Sequence, residues 1–351
     1  MRSVDTAPLI SVIILNYNGA PWLPRCLDSL RRQTIFEQIE VLVADNKSPD
    51  GSDQLAEQLM QGWPNGRVIQ NGENLGFAEG NNRAAATAKG KYLFLLNNDT
   101  WLEPDCLAKL VEGVDTAGAA AACPLVLNYN DNSFQSMGAA GFDIFGLPTC
   151  RKGVVGTKRV LMPEGCAFLV RREVYERLGG LDSQLFMFSE EYDFSWRMWA
   201  AGHTGVAIHA AAMHHRGAAH VNPAGGAATI ELRTSDTKRF YANRNALLAV
   251  LKNAQHVLLL MALLQLLMLT LEALVGLILV RRCSFIQRAY IQAVADCWCL
   301  RKHILSERRR IKSFRKRGDF WMLRFLRLRP NRWDELQRIR KMGIPQVTAD
   351  K

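Results

Sequence analysis

Acidic and amide side chains follow three of the strands that the sequence predicts. The groups Asn16-Tyr17-Asn18, Asp45-Asn46 and Asn97-Asn98-Asp99 each come directly after an apolar run. Their oxygens can accept hydrogen bonds from a nucleobase or a ribose, and a carboxylate there can hold Mg²⁺ or Mn²⁺, which prefer oxygen ligands and bridge phosphates. Taken singly, each group is also typical of an Asx turn that caps the next helix.

A second acidic cluster is set among bulky apolar residues. Glu190, Glu191 and Asp193 lie beside phenylalanine and tryptophan side chains, where burial raises the pKa of a carboxyl group towards that of a general base. The alternative is an ordinary first turn of a helix, where the macrodipole favours acids. The adjacent His214 and His215 could bind a metal or a phosphate. Because neighbours in a strand point to opposite sides, we expect at most one of them to reach a shared site.

The elements that must position these residues alternate along the chain. A β-α-β-α order predicts a doubly wound parallel sheet, whose ligands bind at the carboxyl ends of the strands. After residue 124 the pattern weakens and indicates a mixed sheet with long loops. We predict strands at 9–15, 40–44, 67–69 and 91–96; helices at 24–31, 53–60, 74–89, from Glu103-Pro104, 185–201 and 240–252; and a flexible loop at 217–226.

Composition excludes two broad classes of protein. The 351 residues are 48% hydrophobic and 22% charged, with a mean hydropathy of −0.06, which argues against a disordered chain and against a polytopic membrane protein. The eight cysteines are scattered without a paired zinc pattern, and this favours reduced thiols in a cytosolic compartment. The apolar run at 9–15 is short and ends in a turn, so it indicates a strand and not a signal peptide.

The net charge of +11 is unevenly distributed. Residues 281–351 carry 20 Lys and Arg against 6 Asp and Glu, a net +14, whereas the rest of the chain is at −3. The run 257–280 is long enough to span a bilayer, yet Gln265, Glu272 and Gly276 form a polar stripe along it. We therefore favour an in-plane or re-entrant helix over a single span.

The basic segment interleaves arginine with aromatic residues. Its clusters at 308–310 and 315–317 suit anionic lipid headgroups. The same clusters could bind nucleic acid, but their place beside an apolar helix argues against that partner. A pair of solvated basic helices is the plainer alternative.

Taken together, the motifs resemble the family 2 glycosyltransferases, inverting enzymes of the GT-A fold, and in particular their rhamnosyltransferase-like branch. They occur in order over about residues 9–253. The segments that carry the resemblance are SVIILNYNG (11–19), DNKSPDGS (45–52), NLGFAEGNN (74–82), LNNDT (96–100), GCAFLVR (165–171), FMFSEEYDFSWRMWAAG (186–202), HHRG (214–217) and Arg244-Asn245.

The resemblance implies a Rossmann-like α/β architecture with a doubly wound mixed sheet and a role for each matching residue. It divides the chain into a nucleotide-sugar-binding half at 1–123, an acceptor-binding and catalytic half at 124–253, and a membrane-associated helical region at 254–351. It implies Glu191 as the catalytic base, supported by Glu190 and Asp193, and Asp99 as the metal ligand, completed by His214 or His215. The implied nucleotide-binding residues are Asn16, Asn18, Asp45, Asn46, Asp50, Asn74, Gly76, Asn82 and Asn97.

The implied function is inverting hexosyl or rhamnosyl transfer that depends on Mg²⁺ or Mn²⁺. The donor would be a nucleotide-diphosphate sugar, and the acceptor a lipid-linked glycan for bacterial surface polysaccharide. The cytoplasmic face of the plasma membrane, where nucleotide sugars are made, would be the location. No nucleic-acid partner is implied.

Two departures from the family pattern keep alternatives open. Only Asp99 supplies a carboxylate in the metal motif, and Glu191 stands where the family often has Asp, so Glu190 and Glu191 compete as the base. A catalytically degenerate membrane scaffold is one alternative. A dolichol-phosphate-type or processive synthase is another, although the Q-x-x-R-W motif of processive members is absent from the sequence.

Overall fold

The structure, a computed structural model, describes residues 7–150, 155–217, 233–343 and 346–348. The chain forms two compact units, each made of three stretches. Unit 1 comprises residues 1–138, 151–186 and 204–217, and unit 2 comprises residues 139–150, 187–203 and 218–351. The loop expected at 217–226 lies outside the described residues, apart from Gly217.

The first part of the chain alternates strands and helices as predicted. The elements in order are β1 (Ile10–Asn16), α1 (Leu23–Arg31), β2 (Ile39–Asp45), α2 (Ser52–Leu59), β3 (Gly66–Gln70), α3 (Gly76–Ala85), β4 (Tyr92–Asn97), β5 (Thr100–Leu102), α4 (Cys106–Thr116), β6 (Ala121–Asn128), β7 (Phe134–Ser136), β8 (Ala139–Phe142), β9 (Pro148–Cys150), β10 (Lys158–Arg159), β11 (Ala167–Arg171), α5 (Arg172–Arg177), α6 (Glu190–Ala200) and β12 (Gly205–His215).

The rest of the described chain is mainly helical. It contains β13 (Arg233–Ser235), α7 (Asp236–Asn253), α8 (Leu260–Leu279), α9 (Cys283–Ile286), a π-helical stretch (Gln287–Gln292), α10 (Ala293–Cys299), α11 (Arg301–Phe314), α12 (Asp319–Met322), α13 (Asn331–Met342) and β14 (Gln346–Thr348).

A ten-stranded mixed sheet forms the centre of unit 1. Its main path runs β10-β12-β6-β11-β4-β1-β2-β3, with β5 on β12 and β7 on β6. Strands β1 to β4 are parallel, whereas β11 is antiparallel to both β4 and β6. The register sets Asn16 beside Asp45, and Leu15 beside Asn97. The carboxyl ends of β1, β2 and β4 therefore meet at one edge, as the predicted doubly wound mixed sheet requires.

The parallel strands form where the sequence is apolar on both faces. All seven residues of β2 are buried, and so are six of the seven in β1. A strand covered on both sides needs such a continuous apolar run. Helices α1 and α4 pack their leucine faces on the same core, through Leu23, Leu27 and Leu110 among others.

Three local expectations differ from the structure. Helix α4 begins only at Cys106, because residues 100–102 form β5 against β12 and Pro104 lies before the helix. Helix α6 begins at Glu190 and not at 185, because Phe186, Phe188 and Ser189 have positive φ. The boundary expected between residues 123 and 124 lies inside β6, whereas the one expected after residue 253 coincides with the end of α7.

Unit 2 is built around α7. Ala246 and Leu269 pack with Phe285, Ala289 and Tyr290 in an apolar cluster that joins α7, α8 and the π-helical stretch. By its length and apolar composition α8 is a candidate membrane span. Not all of the C-terminal segment is helical, because β14 pairs with β13.

Several arginines of the basic segment are used inside unit 2. Arg308 donates to the carbonyls of Leu251 and Ala254 at 2.6 Å each, and Arg315 donates to Asn253 at 2.6 Å. Cations at a helix carboxyl end satisfy its last carbonyl groups. The expectation that both basic clusters serve lipid headgroups is therefore too broad, since these side chains stabilise the end of α7. Arg309, Lys312 and Lys316 are among those that remain exposed.

Candidate functional site

The carboxyl ends of β1 and β2 are joined by one buried amide. Asn16 is fully buried, and its Nδ2 lies 2.7 Å from Asp45 Oδ1 and 2.8 Å from Ser52 Oγ. Its Oδ1 accepts a hydrogen bond from Asn98 at 2.9 Å. A Cβ on Gly19 would stand 2.0 Å from that same oxygen, so the turn after β1 requires glycine there. Asn16 thus organises three loops at this edge of unit 1.

Asp45 orders the loop that follows β2. It is 1% exposed; Oδ1 also accepts from Ser48 Oγ at 2.6 Å, and Oδ2 accepts from the Ser48 N–H at 2.8 Å. Ser48 Oγ in turn accepts from the backbone N–H of Asn18 at 3.1 Å. Asn18 is half-buried in a left-handed conformation. The loops that carry Asn18 and Asp45 therefore lie together.

Asp50 caps α2 and also reaches the turn after β1. Its Oδ1 accepts from the Ser52 hydroxyl and N–H at 2.6 and 3.1 Å, and its Oδ2 accepts from the Ala20 N–H at 3.0 Å. Partial burial raises the pKa of this carboxyl, but the hydrogen bonds from Ser52 and Ala20 outweigh it and leave the pKa below the usual value. The Asx-turn interpretation therefore describes what Asp50 does within the chain.

Asn46 and Asn74 form a second amide group. Asn46 Nδ2 donates to Asn74 Oδ1 at 3.2 Å and to the Gly76 carbonyl at 3.1 Å, while its Oδ1 accepts from Asn71 at 2.8 Å. Gly76 has φ +73°, and a Cβ there would stand 2.5 Å from the ring and carbonyl of Phe186. The glycine of this motif is thus explained by the close approach of Phe186 to the start of α3.

Asn82 and Asn97 lie apart from that group. Asn82 donates to the Leu181 carbonyl at 2.8 Å and accepts from Tyr175 at 2.7 Å, so its amide holds the chain near 181 against α3. The side chain of Asn97 at the end of β4 is partly exposed. Of these two residues, Asn97 is the better placed for a ligand at the sheet edge.

Asp99 and His215 lie side by side. The His215 Nε2 is 3.4 Å from Asp99 Oδ1, and the imidazole also forms a hydrogen bond with Cys166. Burial acts to lower the pKa of His215, but Cys166 and the Asp99 carboxylate outweigh it and hold that pKa well above its usual value. On the other side of the ring, Nδ1 lies 2.9 Å from Gln135 Oε1. Its neighbours therefore fix the orientation of the imidazole.

His214 points elsewhere. Its ring stacks on Trp101 with centroids 3.5 Å apart, and its Nε2 lies 3.0 Å from Glu103 Oε1. This is the alternation expected of adjacent residues in a strand, since the two imidazoles extend from opposite faces of β12. The structure thus brings His215, and not His214, beside Asp99.

Asp99 and His215 would share a divalent cation with a substrate once the cation displaces the proton from the imidazole, because only the neutral ring binds a metal. Mg²⁺ and Mn²⁺ are commonly held by one or two protein ligands, with phosphate oxygens and waters completing the shell. Within the described ranges, no group of three or more His, Cys, Asp or Glu side chains could hold a metal by itself. Asp99 and His215 would therefore supply only part of the coordination shell of such a cation.

The acidic cluster of unit 2 contains two different carboxyl environments. Glu190 is 3% exposed, and burial together with the neighbouring Glu191 raises its pKa well above the usual value. Glu191 is half-buried at the first turn of α6. The raised pKa favours the neutral form of Glu190, and the half-buried Glu191 is the more accessible of the two carboxyl groups, so Glu191 is the better candidate for a base.

Asp193 forms an ionic core inside unit 2. It is fully buried, with Oδ2 at 2.9 Å from Arg197 Nη2 and Oδ1 at 2.9 Å from Lys252 Nζ. Asn253 donates to Oδ1 at 2.8 Å. These contacts show that Asp193 joins α6 to α7. Its expected supporting role in catalysis stays a prediction.

The sequence interpretation overlooked two contacts. Cys166 lies beside His215, although thiols were considered only for paired patterns. Asn245, which was noted only for its resemblance, donates to two carbonyls just before α6. Neither contact has a spacing signal, since each joins residues about fifty positions apart.

The chain matches known proteins over much of its length. The pattern of glycosyl transferase family 2 matches residues 11–179. The hyaluronan synthase of Pasteurella multocida is 31% identical over 144 residues, which are 40% of this chain and 14% of the synthase. The N-acetylglucosaminyl-diphospho-decaprenol L-rhamnosyltransferase of Mycobacterium tuberculosis (strain H37Rv) is 26% identical over 277 residues, which are 68% of this chain and 85% of that enzyme. The chain therefore spans a small part of the first relative and most of the second.

A solved structure shares the architecture. The mannosyltransferase of Pyrobaculum calidifontis, solved with GDP-mannose and Mn²⁺, superposes with a TM-score of 0.52 at 15% identity, over 88% of this chain and 86% of that one. The mixed sheet with polar loops at its carboxyl edge is thus a GT-A fold. The family match and the shared architecture together support a family 2 glycosyltransferase.

Proposed function

We propose that this protein is an inverting, divalent-metal-dependent glycosyltransferase. It transfers a hexosyl or rhamnosyl group from a nucleotide-diphosphate sugar to a lipid-linked glycan acceptor. The observation that carries the proposal is the Asp99–His215 pair, 3.4 Å apart, in a unit whose adjacent strand ends bear the Asn16–Asp45 network.

The chain's own residues have distinct tasks in this reaction. Asp99 and His215 would hold the cation, which would neutralise negative charge on the leaving diphosphate. Glu191 takes the proton of the acceptor hydroxyl as that oxygen bonds to the anomeric carbon and the bond from that carbon to the diphosphate breaks. The raised pKa of the buried Glu190 favours its neutral form, which does not accept that proton. Positioning and proton removal together account for the catalysis.

The chemical class of the acceptor is inferred from one relative. The mycobacterial enzyme, by its name, uses an N-acetylglucosaminyl-diphospho-decaprenol acceptor and transfers L-rhamnose, and this chain spans 85% of it. We extend from it the idea of a polyprenyl-diphosphate-linked acceptor used in bacterial surface polysaccharide synthesis.

Helix α8 supports a location on the membrane. One face is apolar and open: Leu263, Leu267, Leu271 and Ile278 are each more than half exposed. The polar stripe faces the other way, since Gln265 is fully buried. Such a helix buries its apolar face in a lipid surface while it stays packed on its own protein.

Ion pairs favour an in-plane helix over a span. Glu272, in the second half of α8, lies 3.1 Å from Arg239 of α7 and 2.8 Å from Arg332 of α13. Crossing the bilayer would strip Glu272 of both partners or draw two arginines into hydrocarbon, and either is costly. We therefore propose that α8 lies in the cytoplasmic face of the plasma membrane.

Vesicle sedimentation tests this location. Leu267→Ser with Leu271→Ser should release most of the protein from vesicles that contain anionic lipid. Leu328→Ser, at an 86% exposed leucine outside α8, is the control and should not. Equal binding by all three proteins would refute the role of α8.

Calorimetry tests the donor site. Uridine, deoxythymidine and guanosine diphosphates are titrated with and without Mn²⁺ into the full chain, into Asp99→Asn and into Asp131→Asn, an exposed loop carboxylate of unit 1. One nucleotide should bind in a Mn²⁺-dependent manner, Asp99→Asn should lose that dependence, and the control should retain it. Absence of metal-dependent binding by the unaltered protein would refute the proposal and favour a non-catalytic scaffold, a rival suggested by the single carboxylate of the Asn97-Asn98-Asp99 motif.

A further inference from the structure

The turn that leads into α6 has an unusual backbone. Phe188 and Ser189 both lie in the left-handed region, at φ 69° and 68°, and neither is glycine. Residues other than glycine adopt this conformation at a cost in free energy, and they persist in it only where the surrounding structure holds them there. Because Glu190 and Glu191 follow at once, this turn sets where the acidic pair begins.

One buried amide holds the turn. Asn245 of α7 is fully buried, and its Nδ2 donates to the Met187 carbonyl at 2.7 Å and to the Phe188 carbonyl at 2.8 Å. Both hydrogens of the amide are thus directed at consecutive carbonyls of the strained segment. Few side chains other than asparagine could make both bonds from that position.

Arg244 and Asp296 fix the orientation of the Asn245 amide. Arg244 Nε donates to Asn245 Oδ1 at 2.8 Å, so the amide oxygen is held away from the turn and the nitrogen towards it. Arg244 is itself held by Asp296 of α10, with Nη1 and Oδ2 2.8 Å apart. The path runs from α10 through Arg244 and Asn245 to the backbone before α6.

We propose that Asn245 is a positioning residue for catalysis, which clamps the left-handed turn and thereby aims Glu191. Arg244 and Asp296 serve the clamp by orienting its amide. The inference rests on the proposed function, because it takes Glu191 as the base. It adds a residue that touches no substrate and acts only through the backbone at 187–189.

Hydrogen exchange of the full chain measures the clamp without any substrate. Asn245→Ala should speed amide exchange in the peptide covering 186–192. Asn243→Ala is a matched control: it removes another buried asparagine of α7, one that donates to Ala289 at 2.9 Å and not to the turn. That control should leave exchange at 186–192 unchanged. Equal exchange in the two variants would overturn the proposal.

Steady-state kinetics of sugar transfer measure the effect of the clamp on catalysis. Asn245→Ala should lower kcat about 100-fold, the scale of a misplaced catalytic group, with the donor KM and Mn²⁺-dependent nucleotide binding unchanged. Asp296→Asn, which keeps the side-chain shape and lies at the outer end of the path, should lower kcat by a smaller factor. An unchanged kcat in Asn245→Ala, or an equal loss in Asn243→Ala, would overturn the clamp.

Failure of the proposed function gives a different pattern. In that case the unaltered protein binds no nucleotide with Mn²⁺, whereas the exchange difference between Asn245→Ala and Asn243→Ala persists. That result would show that Asn245 holds the turn before α6 but that Glu191 is not a catalytic base. The catalytic role proposed for Asn245 would then be refuted together with the proposed function.

Discussion

The two units stabilise their buried polar residues in opposite ways. In unit 1 the strand ends are joined largely by amides and hydroxyls around Asn16 and Asp45. In unit 2 a carboxylate, Asp193, is buried with two cations, Arg197 and Lys252. The amide network lies at a sheet edge and is buried itself, but the loops that it orders carry partly exposed residues such as Asn18 and Ser48. The ionic core joins two helices and has no access for a ligand.

Two ion pairs of the same residue types, one in each unit, illustrate this difference. Asp28–Arg32 in unit 1 and Asp193–Arg197 in unit 2 have the same residues, the same i,i+4 spacing and nearly equal distances, 2.8 and 2.9 Å. The arginine and aspartate side chains are 71% and 51% exposed in the first pair and fully buried in the second. The burial of each pair, and not its geometry, therefore decides how much each aspartate contributes to the stability of the fold.

The largest effect is expected at the ionic core. Asp193→Asn removes the buried carboxylate that pairs with both Arg197 and Lys252 and should lower the free energy of unfolding by about 3–5 kcal/mol. Asp28→Asn, the same change on the surface, should lower it by at most about 1 kcal/mol. Urea unfolding followed by far-ultraviolet circular dichroism measures both. Similar losses in the two variants would contradict the contrast between the units.

A pH-dependent effect is expected at Glu190. Its pKa is raised in the folded state, so the folded protein retains a proton that the unfolded chain releases, and stability falls as pH rises above the ordinary glutamate pKa. Glu190→Gln removes that dependence. Thermal unfolding at several pH values should show Glu190→Gln more stable than the unaltered protein at pH 8, with the difference fading towards pH 4. A gain that does not depend on pH would mean that Glu190 is ionised in the fold.

A smaller loss is expected in the amide network. Asn16→Ala leaves buried groups of Asp45, Ser52 and Asn98 short of a partner and should cost about 1–3 kcal/mol. Asn128→Ala, which removes hydrogen bonds with Ser133 and Gln135 at a half-buried side chain, should cost less than Asn16→Ala. Chemical denaturation compares the two. If Asn16→Ala is as mild as its control, the network does not hold the edge of unit 1 together.

Much of unit 1 could be predicted from sequence because its signals are local. Strands β1, β2 and β4 are mostly apolar, and each ends in Asx residues that lead into the turn after it. The β-α alternation then fixes which ends meet. Strand β5 was missed because three residues give no periodicity, and its pairing partner in β12 is over 100 positions away.

Unit 2 was harder to predict, for a physical reason. The acids at 190–193 look alike in sequence, but one is buried and protonated, one is half-buried, and one is paired with cations from α6 and α7. Arg308 and Arg315 similarly resemble lipid-facing charges until the structure brings them to the carbonyl groups at the end of α7. Such roles depend on which distant helix packs nearby, and spacing along the chain does not encode that.

Sugar transfer by Glu191→Gln and Glu190→Gln tests the central claim most directly. With the donor and acceptor that the unaltered protein uses, Glu191→Gln should lower kcat by about 100- to 10,000-fold while Mn²⁺-dependent nucleotide binding persists. Glu190→Gln, a neutral replacement for a neutral carboxyl, should retain most of kcat. Full activity in Glu191→Gln, or a loss confined to Glu190→Gln, would contradict the assignment of the base and with it the division between a reactive and a structural set of acids in unit 2.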